Sequence, residues 1–319
     1  MSASVVLVIG QEPPDRLRRA LAALERQVGT EPIEVVIAAS PLLLEECRAL
    51  DSRGAVARIE IVSNPTGRRT PGLNAAARAA SGDVLVRVDA RSRVPPDYVA
   101  RCLNRLEVDA DVGVVGGHQQ PVEHASSVRA RGIARALRNP WIVGGAAYRR
   151  LDRSGPVDTV YLGAFRRPEF LAFGGYDERL DANEDFELCA RYQHAGYTVW
   201  LESGLVVRYE ARASFRELWR QYEDFGRSKL RYWTLTGERP NPRQAVALAL
   251  ALAGAATVAL SKRRALALAI AAAGLAALDH AAEPTETDPS VRASSVVASA
   301  VAQAAWTTGV LREAAVSLR

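Results

Sequence analysis

Two acidic positions in this sequence have the residue type and the spacing that group transfer from a nucleotide diphosphate would need. Asp89 ends the apolar run VLVRVD, and Asp185 follows Glu184 at the start of the amphipathic segment FELCARYQHA. Such chemistry requires one carboxylate near the diphosphate, usually acting through a divalent metal ion, and a second carboxylate that deprotonates the acceptor hydroxyl. Asp89 is the candidate for the first role and Asp185 for the second.

Each acidic position also has a simpler interpretation. Asp89 could be a residue that forms a turn after its strand, and the pair Glu184-Asp185 could mark a helix N-terminus, where acidic residues are favoured. The two positions occur along the chain in the order that transfer chemistry would use them. Together they favour the catalytic interpretation over two unrelated structural roles.

The first half of the chain alternates short β-branched runs with helical stretches rich in Ala, Arg and Leu, which predicts βαβ units and a parallel sheet. The predicted strands are Val5–Ile9, Ile33–Ala38, Arg58–Val62 and Asp83–Asp89. One helix is predicted to begin at Pro14, and a second, short helix is predicted at Asn74–Ala80. Open α/β sheets bind ligands beyond the carboxyl ends of their strands. Asp89 therefore lies where a ligand is expected.

The middle of the chain is less uniform. The pattern predicts a helix from Pro96 to about Glu107, a strand at Val112–Gly116, and then a less regular stretch rich in Gly and Arg. The predicted elements that follow are a helix at Phe186–Ala195, a strand at Thr198–Glu202 and an amphipathic helix at Phe215–Trp233. A helix with one apolar face lies either on apolar protein or on a membrane surface.

The composition changes sharply from Ala245 onward. Ala245–Leu260 and Ala265–Leu278 are uncharged runs separated by Lys262-Arg263-Arg264, and Ala293–Leu311 is a third, weaker run. At 1.5 Å per residue the first two runs reach only about 21 to 24 Å, less than the roughly 30 Å of a bilayer core. Spanning helices, a re-entrant hairpin and helices packed on protein all remain open. We expect a catalytic domain over residues 1–242 and a membrane-associated helical tail over 243–319, which could be removed without unfolding the domain.

The composition excludes several other classes of protein. The 41 basic and 36 acidic residues are interspersed and leave a formal net charge of only +5, which argues against a nucleic-acid-binding protein. Cys47, Cys102 and Cys189 are odd in number and lack the CxxC spacing of a zinc site, so neither a disulfide framework nor structural zinc is expected. We expect reduced thiols in a cytosolic protein.

Two long segments resemble family 2 glycosyltransferases, and especially their succinoglycan-biosynthesis (ExoA-like) group. Residues 64–99, NPTGRRTPGLNAAARAASGDVLVRVDARSRVPPDYV, look like the donor half of that family, and residues 157–200, VDTVYLGAFRRPEFLAFGGYDERLDANEDFELCARYQHAGYTVW, look like the acceptor half. The resemblance implies a GT-A fold, which is a Rossmann-like, mostly parallel sheet flanked by helices. It also implies an inverting mechanism and a nucleotide-sugar donor, with a UDP-sugar as the first expectation.

The resemblance also suggests roles for single residues. Asp89 corresponds to the first acid of the DxD motif and would bind the metal and diphosphate, and Asp185 corresponds to the catalytic base of the ED motif. The segment that borders the nucleotide contains Asn64, Gly67, Arg68 and Asn74. The acceptor side would include Glu184, Gly163, Arg166 and, more weakly, Gln221.

The chain departs from the family pattern at two places. Ala38-Ala39-Ser40 follows the second strand, where relatives carry acids that hold the nucleoside. Arg91 occupies the second acid position of the DxD motif, so a Mg²⁺ or Mn²⁺ ion would depend on Asp89 and the diphosphate oxygens. The Arg91 guanidinium could itself neutralise diphosphate charge, and we therefore also count it among the donor-binding residues.

The expected function is transfer of a sugar to a glycan or lipid-linked acceptor in cell-surface polysaccharide synthesis, at the cytoplasmic face of the cell membrane. One alternative is a catalytically silent relative that binds or scaffolds a glycan, which Ala38-Ala39 and Arg91 would permit. Another is a nucleotidyltransferase, but the first loop, Gly10-Gln11-Glu12-Pro13, lacks the glycine-rich, basic character of that class.

Overall fold

The computed structural model describes residues 1–10, 12–140, 146–149, 153–260 and 264–317. It groups the chain into two compact units. The first comprises Met1–Gln120 and Ala146–Tyr209, and the second comprises Pro121–Gly145 and Glu210–Arg319. Gln11 of the first loop, and Lys262 and Arg263 between the apolar runs, lie outside the described residues.

One nine-stranded sheet organises the first unit. Its strands in chain order are β1 (Ala3–Ile9), β2 (Ile33–Ala39), β3 (Val56–Ser63), β4 (Val84–Arg87), β5 (Ser92–Arg93), β6 (Val112–Val122), β7 (Gly155–Pro156), β8 (Tyr161–Arg166) and β9 (Thr198–Glu210). The spatial order is β3-β2-β1-β4-β8-β6-β9-β5, with β7 beside β9. The first four strands pair in parallel, and β8 runs antiparallel to both β4 and β6.

The helices alternate with the strands through most of the chain. They are α1 (Pro14–Leu24), α2 (Leu44–Arg48), α3 (Arg69–Ala79), α4 (Tyr98–Val108), α5 (Val128–Arg138), α6 (Arg167–Ala172), α7 (Glu184–His194), α8 (Phe215–Thr236), α9 (Pro242–Leu260), α10 (Arg264–Ala282) and α11 (Pro289–Ser317), and a short 3-10 helix covers Ala147–Arg149. The predicted α/β class with its parallel sheet is confirmed. Strands β1, β2 and β4 are buried along almost their whole length, as expected for parallel strands covered on both faces.

One predicted helix start and one stretch expected to be irregular differ from the structure for identifiable reasons. Helix α3 begins at Arg69 rather than Asn74, because Pro71 falls in the first helical turn, where a missing N–H costs nothing. The stretch expected to be irregular contains α5 and the central strand β8. The buried residues of α5 are mostly small residues together with Arg135, so their residue types did not mark the helix as a buried element.

The second unit is built around three helices that lie close together. Helix α11 packs along α8 and against α5, and its buried positions are mostly Ala, Ser and Thr. Gly226 of α8 and Gly309 of α11 lie at the α8–α11 contact, where each faces the backbone of the other helix. The third apolar run is therefore a packed helix, which is one of the alternatives left open by its sequence.

Helices α9 and α10 expose large apolar side chains, among them Val246, Leu250 and Leu278, and α11 exposes Val297, Leu311 and Val316. Among the residues that the structure describes, no helix combines the length and apolar character needed to cross a membrane. The expected division of the chain at residue 242 and the membrane association of the tail stay predictions.

Candidate functional site

A buried guanidinium lies between two carboxylates at the carboxyl end of β4. Arg87, the last residue of that strand, approaches Asp89 through Nε–Oδ1 at 3.0 Å and Nη2–Oδ2 at 3.4 Å. Its Nη1 lies 3.0 Å from Oε1 of Glu184, the first residue of α7. The side chains of Arg87 and Glu184 are only 5% and 2% exposed. Arg87 therefore connects Asp89 to Glu184, the neighbour of Asp185, although these acids are far apart in the sequence.

A second arginine reaches the same group. Arg69 is the first residue of α3, and its Nη1 lies 3.5 Å from Oε1 of Glu184. Sequence reasoning missed Arg69 and Arg87 because their partner Glu184 lies about a hundred residues further along the chain. Arg87 did carry a signal, since it is a single charge inside the otherwise apolar run VLVRV.

The two candidate acids have opposite electrostatic environments. Burial alone would raise the pKa of Asp89, but the Arg87 and Arg69 guanidinium groups outweigh it and lower the pKa below its ordinary value. Burial, followed by the charge of Glu184, raises the pKa of Asp185 to about 6. Asp185 accepts the backbone N–H of Phe186 at 2.8 Å and makes no ion pair within the described part of the chain. Asp89 is therefore suited to holding cationic partners, and Asp185 is suited to accepting a proton.

The start of α7 places these acids without using either as the helix cap. The N-cap residue is Asn183, which adopts a left-handed conformation with φ of 62° and makes no side-chain capping bond. Asn tolerates this conformation better than most residues because its short polar side chain finds local partners. Capping therefore does not account for the burial of Glu184 beside two arginines.

The loop after β3 is fixed by its own hydrogen bonds. Asn64 donates from Nδ2 to the Arg68 carbonyl at 2.9 Å and accepts from the Thr66 hydroxyl at 2.9 Å. Gly67 adopts a φ of 62°, which favours glycine. Arg68 donates from Nε to Asp181 at 2.8 Å. The bonds of Asn64 are those of a turn residue, and Arg68 ties the turn to Asp181. The expected role of Asn64, Gly67 and Arg68 beside a nucleotide stays a prediction.

Asn74 has the most complete set of internal partners among the predicted donor-site residues. Its amide donates to the Tyr176 carbonyl at 2.8 Å and to Glu178 at 3.0 Å, and it accepts the Tyr176 N–H at 2.9 Å. The structure therefore gives Asn74 the role of fixing the segment before α7. Its predicted contact with a nucleotide is not tested by these bonds.

The predicted acceptor-side residues are not all brought together. Gly163 precedes Ala164, which pairs with Val86 next to Arg87. Arg166 instead pairs with Val84 at the opposite end of β4, and its guanidinium donates to the Leu106 and Val112 carbonyls. Gln221 belongs to α8 in the second unit. The structure therefore does not bring Arg166 to the carboxylates.

Arg91 lies in the turn that follows β4. The N–H of Ser92 donates to the Asp89 carbonyl at 2.8 Å and closes this turn. The backbone of Asp89 is therefore that of a turn residue, as the simpler interpretation of the sequence had it. The Arg91 side chain is only 8% exposed. No group of three or more His, Cys, Asp or Glu residues is placed to hold a metal ion in the described ranges.

These features can be compared with known proteins. The sequence model of glycosyl transferase family 2 matches residues 4–168, which is more than half of the chain. The chain belongs to this family. The matched residues include Asp89, Arg87 and Arg69, while Asp185 lies beyond the match.

One curated relative and two solved structures are similar to this family 2 chain. Succinoglycan biosynthesis protein ExoA of Rhizobium meliloti (strain 1021) is 30% identical over 191 residues, which are 59% of this chain and 56% of that protein. The chain therefore matches only about half the length of ExoA. The predicted resemblance to the ExoA-like group is confirmed.

Both solved structures are similar over 98% of this chain. Mannosyltransferase PcManGT from Pyrobaculum calidifontis, in complex with GDP-Man and Mn²⁺, has a TM-score of 0.61 at 18% identity, with 86% of its chain covered. TarS 1-349 of S. aureus has a TM-score of 0.51 at 12% identity, with 92% covered. At these identities the likeness concerns the fold, and it confirms the predicted GT-A architecture. The chain is a glycosyltransferase by family.

Proposed function

We propose that this family 2 chain transfers a sugar from a nucleotide-diphosphate sugar to a hydroxyl group, with inversion at the anomeric carbon. The observation that carries the proposal is the arrangement at the carboxyl end of β4, where Arg87 joins Asp89 to the acid pair at the start of α7. The carboxyl ends of strands in such sheets are where ligands bind. One ionised and one proton-accepting carboxylate are thus available at that edge.

The mechanism assigns different work to the two acids. Asp185 takes the proton from the acceptor hydroxyl as its oxygen attacks the anomeric carbon from the face opposite the nucleotide. Inversion follows from this single displacement. Negative charge develops on the leaving diphosphate, and the guanidinium groups of Arg69 and Arg91 are the side chains proposed to stabilise it.

A divalent cation fits the donor set only if the substrate supplies most of its ligands. Mg²⁺ is commonly bound by one or two carboxylates together with substrate phosphates and water. Asp89 is ionised and its side chain is 25% exposed, so one of its oxygens could hold Mg²⁺ or Mn²⁺. When bound, the ion would supply positive charge to the diphosphate.

A panel of UDP-, GDP- and other nucleotide sugars tests the donor assignment directly. We expect the purified chain to bind at least one of them more tightly than it binds the free sugar, in titration calorimetry with and without Mg²⁺ or Mn²⁺. A glycan-binding scaffold would instead bind glycans and no nucleotide sugar. That result would favour the silent alternative motivated by Ala38, Ala39 and Arg91.

Replacing Asp89 should weaken donor binding as well as turnover. Asp89→Asn removes the negative charge that would attract a cation or orient the groups around the diphosphate. We therefore expect the donor Kd to rise about tenfold or more. Asp83→Asn is the matched control because Asp83 precedes the same strand at its other end, where it bonds Ser2. Equal donor affinity in the Asp89 variant and the wild type would leave Asp89 only its role in the turn.

The rate of transfer should fall as the pH drops below about 6. Asp185 acts as a base only when ionised, and its pKa of about 6 means that the ionised fraction falls as the pH drops through that value. We expect kcat/KM to fall about tenfold per pH unit below that point and to stay level just above it. A profile that stays level down to about pH 4.5 would rule out this base.

We further propose that the acceptor is a glycan or a lipid-linked glycan in polysaccharide synthesis, and that the chain works at the cytoplasmic face of the cell membrane. The name of the ExoA relative supports the first part, and the exposed Val246 and Leu250 of α9 support the second. Exposed apolar side chains favour insertion at a bilayer interface.

Vesicle flotation tests the membrane assignment. The full chain should float with vesicles that contain anionic phospholipid, and Val246→Glu combined with Leu250→Glu should weaken that binding severalfold. The control combines Val28→Glu with Val108→Glu, because these two exposed apolar positions belong to the first unit and their replacement changes the net charge equally. A wild-type chain that stays with the unbound fraction would contradict the membrane proposal.

A further inference from the structure

Arg87 is a buried charged residue to which the proposed mechanism assigns no step. It ends the buried central strand β4, where its neighbours on β1 and β8 are apolar, and its side chain is 5% exposed. Burying a charge is costly unless the group is paired and hydrogen-bonded. The structure provides two carboxylate partners, Asp89 and Glu184, together with the Tyr176 ring 5.6 Å from its guanidinium carbon.

We propose that Arg87 is a positioning residue that ties Asp89 to Glu184 and thereby holds the neighbouring base Asp185 in register with the donor carboxylate. This inference rests on the proposed function, because it assigns Asp89 to the donor and Asp185 to the acceptor. Arg87 does not touch substrate in this assignment. It acts through the two acids that it joins.

The shape of the guanidinium group is essential to this role. Its Nε and Nη2 face Asp89 while Nη1 faces Glu184, so one planar group fixes the separation of two carboxylates. A lysine ammonium carries the same charge but cannot present three donors in a fixed plane. Arginine at this position therefore supplies geometry as well as charge.

The charge of Arg87 also acts on Asp185 at a distance. Arg87 and Arg69 favour the ionised form of Asp185, whereas burial and the charge of Glu184 oppose it. Removing the Arg87 charge should therefore make Asp185 harder to ionise.

Tyr148, Tyr176 and Cys189 also face Asp185 and are neutral near pH 6, because the ordinary pKa values of tyrosine and cysteine lie well above 6 and burial raises the pKa of each of these three further. The groups that face Asp185 thus come from five places in the first unit. They are Arg87 of β4, Arg69 of α3, Glu184 and Cys189 of α7, Tyr148 of the 3-10 helix, and Tyr176 of the segment before α7.

Two variants separate charge from geometry. Arg87→Met removes both the charge and the planar guanidinium group, and Arg87→Lys keeps the charge but loses the planar arrangement of donors. We expect the carboxyl ¹³C signal of Asp185, identified by its absence in Asp185→Asn, to titrate about one pH unit higher in the Met variant, and close to wild type in the Lys variant. With the donor found in the binding panel, the Lys variant should lose about tenfold or more in kcat because the acids are no longer held in register.

Arg166 provides the matched control. It is also largely buried and hydrogen-bonded, but at the opposite end of β4, where it bonds the Leu106 and Val112 carbonyls. Arg166→Met and Arg166→Lys should lower thermal stability without moving the Asp185 titration. This comparison separates a role at the site from a contribution to folding alone.

An Asp185 titration that is the same in the wild type and in Arg87→Met would overturn the inference. If the Met variant does not fold, wild-type kcat in Arg87→Lys overturns it instead. Failure of the proposed function looks different, because the NMR shift would then appear as expected while the wild type transferred no sugar.

Discussion

Asp185→Asn should abolish sugar transfer while leaving the donor bound. Loss of a general base is expected to lower kcat by about 10² to 10⁴-fold, because the acceptor hydroxyl then attacks without giving up its proton. Asn can still accept the Phe186 N–H that Asp185 accepts at 2.8 Å, so the start of α7 should keep its conformation. Donor Kd from calorimetry and kcat from product formation measure the two effects separately.

The stability of this variant provides an internal check. The pKa of Asp185 is raised to about 6, so above that pH its ionisation costs the folded state more than the unfolded state. A neutral Asn removes that cost, and the Tm at about pH 7.5 should be unchanged or higher. Asp111→Asn is the control, because Asp111 is an exposed acid on the turn before β6. Normal turnover in Asp185→Asn would contradict the assignment of Asp185 as the general base.

Gly309→Ala should destabilise the second unit although alanine is the better helix former. A Cβ at Gly309 would overlap the backbone carbonyl of Glu223 on α8, and a Cβ at Gly226 would overlap that of Trp306 on α11. The two helices can separate only by losing contacts along their length. Overpacking of this kind costs about 1 to 3 kcal/mol, which exceeds the gain of about 1 kcal/mol from replacing glycine in a helix.

Gly254→Ala makes the same change where there is space. An added Cβ at Gly254 in α9 meets no heavy atom within 4 Å, so only the helix-forming gain of about 1 kcal/mol remains. Urea denaturation should therefore show a lower free energy of unfolding for the Gly309 variant and an equal or higher one for the Gly254 variant. Equal stability of the two variants would contradict the close α8–α11 packing.

The same packing bears on the expectation that the tail could be removed without unfolding the catalytic domain, which stays a prediction. A chain ending near Gln244 would lose α11, which packs along α8 and whose Trp306 contacts the buried Trp233 of α8. The apolar composition of residues 293–311 suggested a removable tail. Alanine and glycine give no amphipathic pattern, yet they permit the closest helix contacts, so composition could not distinguish the packed helix from a membrane segment.

The sequence pointed to the two acids of the candidate site but not to the arginines that lie between them. Asp89 and Asp185 were recognisable because each stands at the end of a regular element, where local pattern is informative. Arg87 and Arg69 were not, because their roles arise from partners that only the folded sheet brings close. Arg166 illustrates the converse, since a segment match placed it near the acceptor while the register of β8 puts it at the far end of β4.

The stereochemistry of transfer tests the central claim most directly. The purified chain would be incubated with the nucleotide sugar that it binds and with a panel of glycan and lipid-linked acceptors, and the anomeric ¹H signal of the first product would be recorded. We expect a product whose anomeric configuration is opposite to that of the donor, formed by the wild type and not by Asp185→Asn. A product with retained configuration, or product formation that is equal in both proteins, would contradict it.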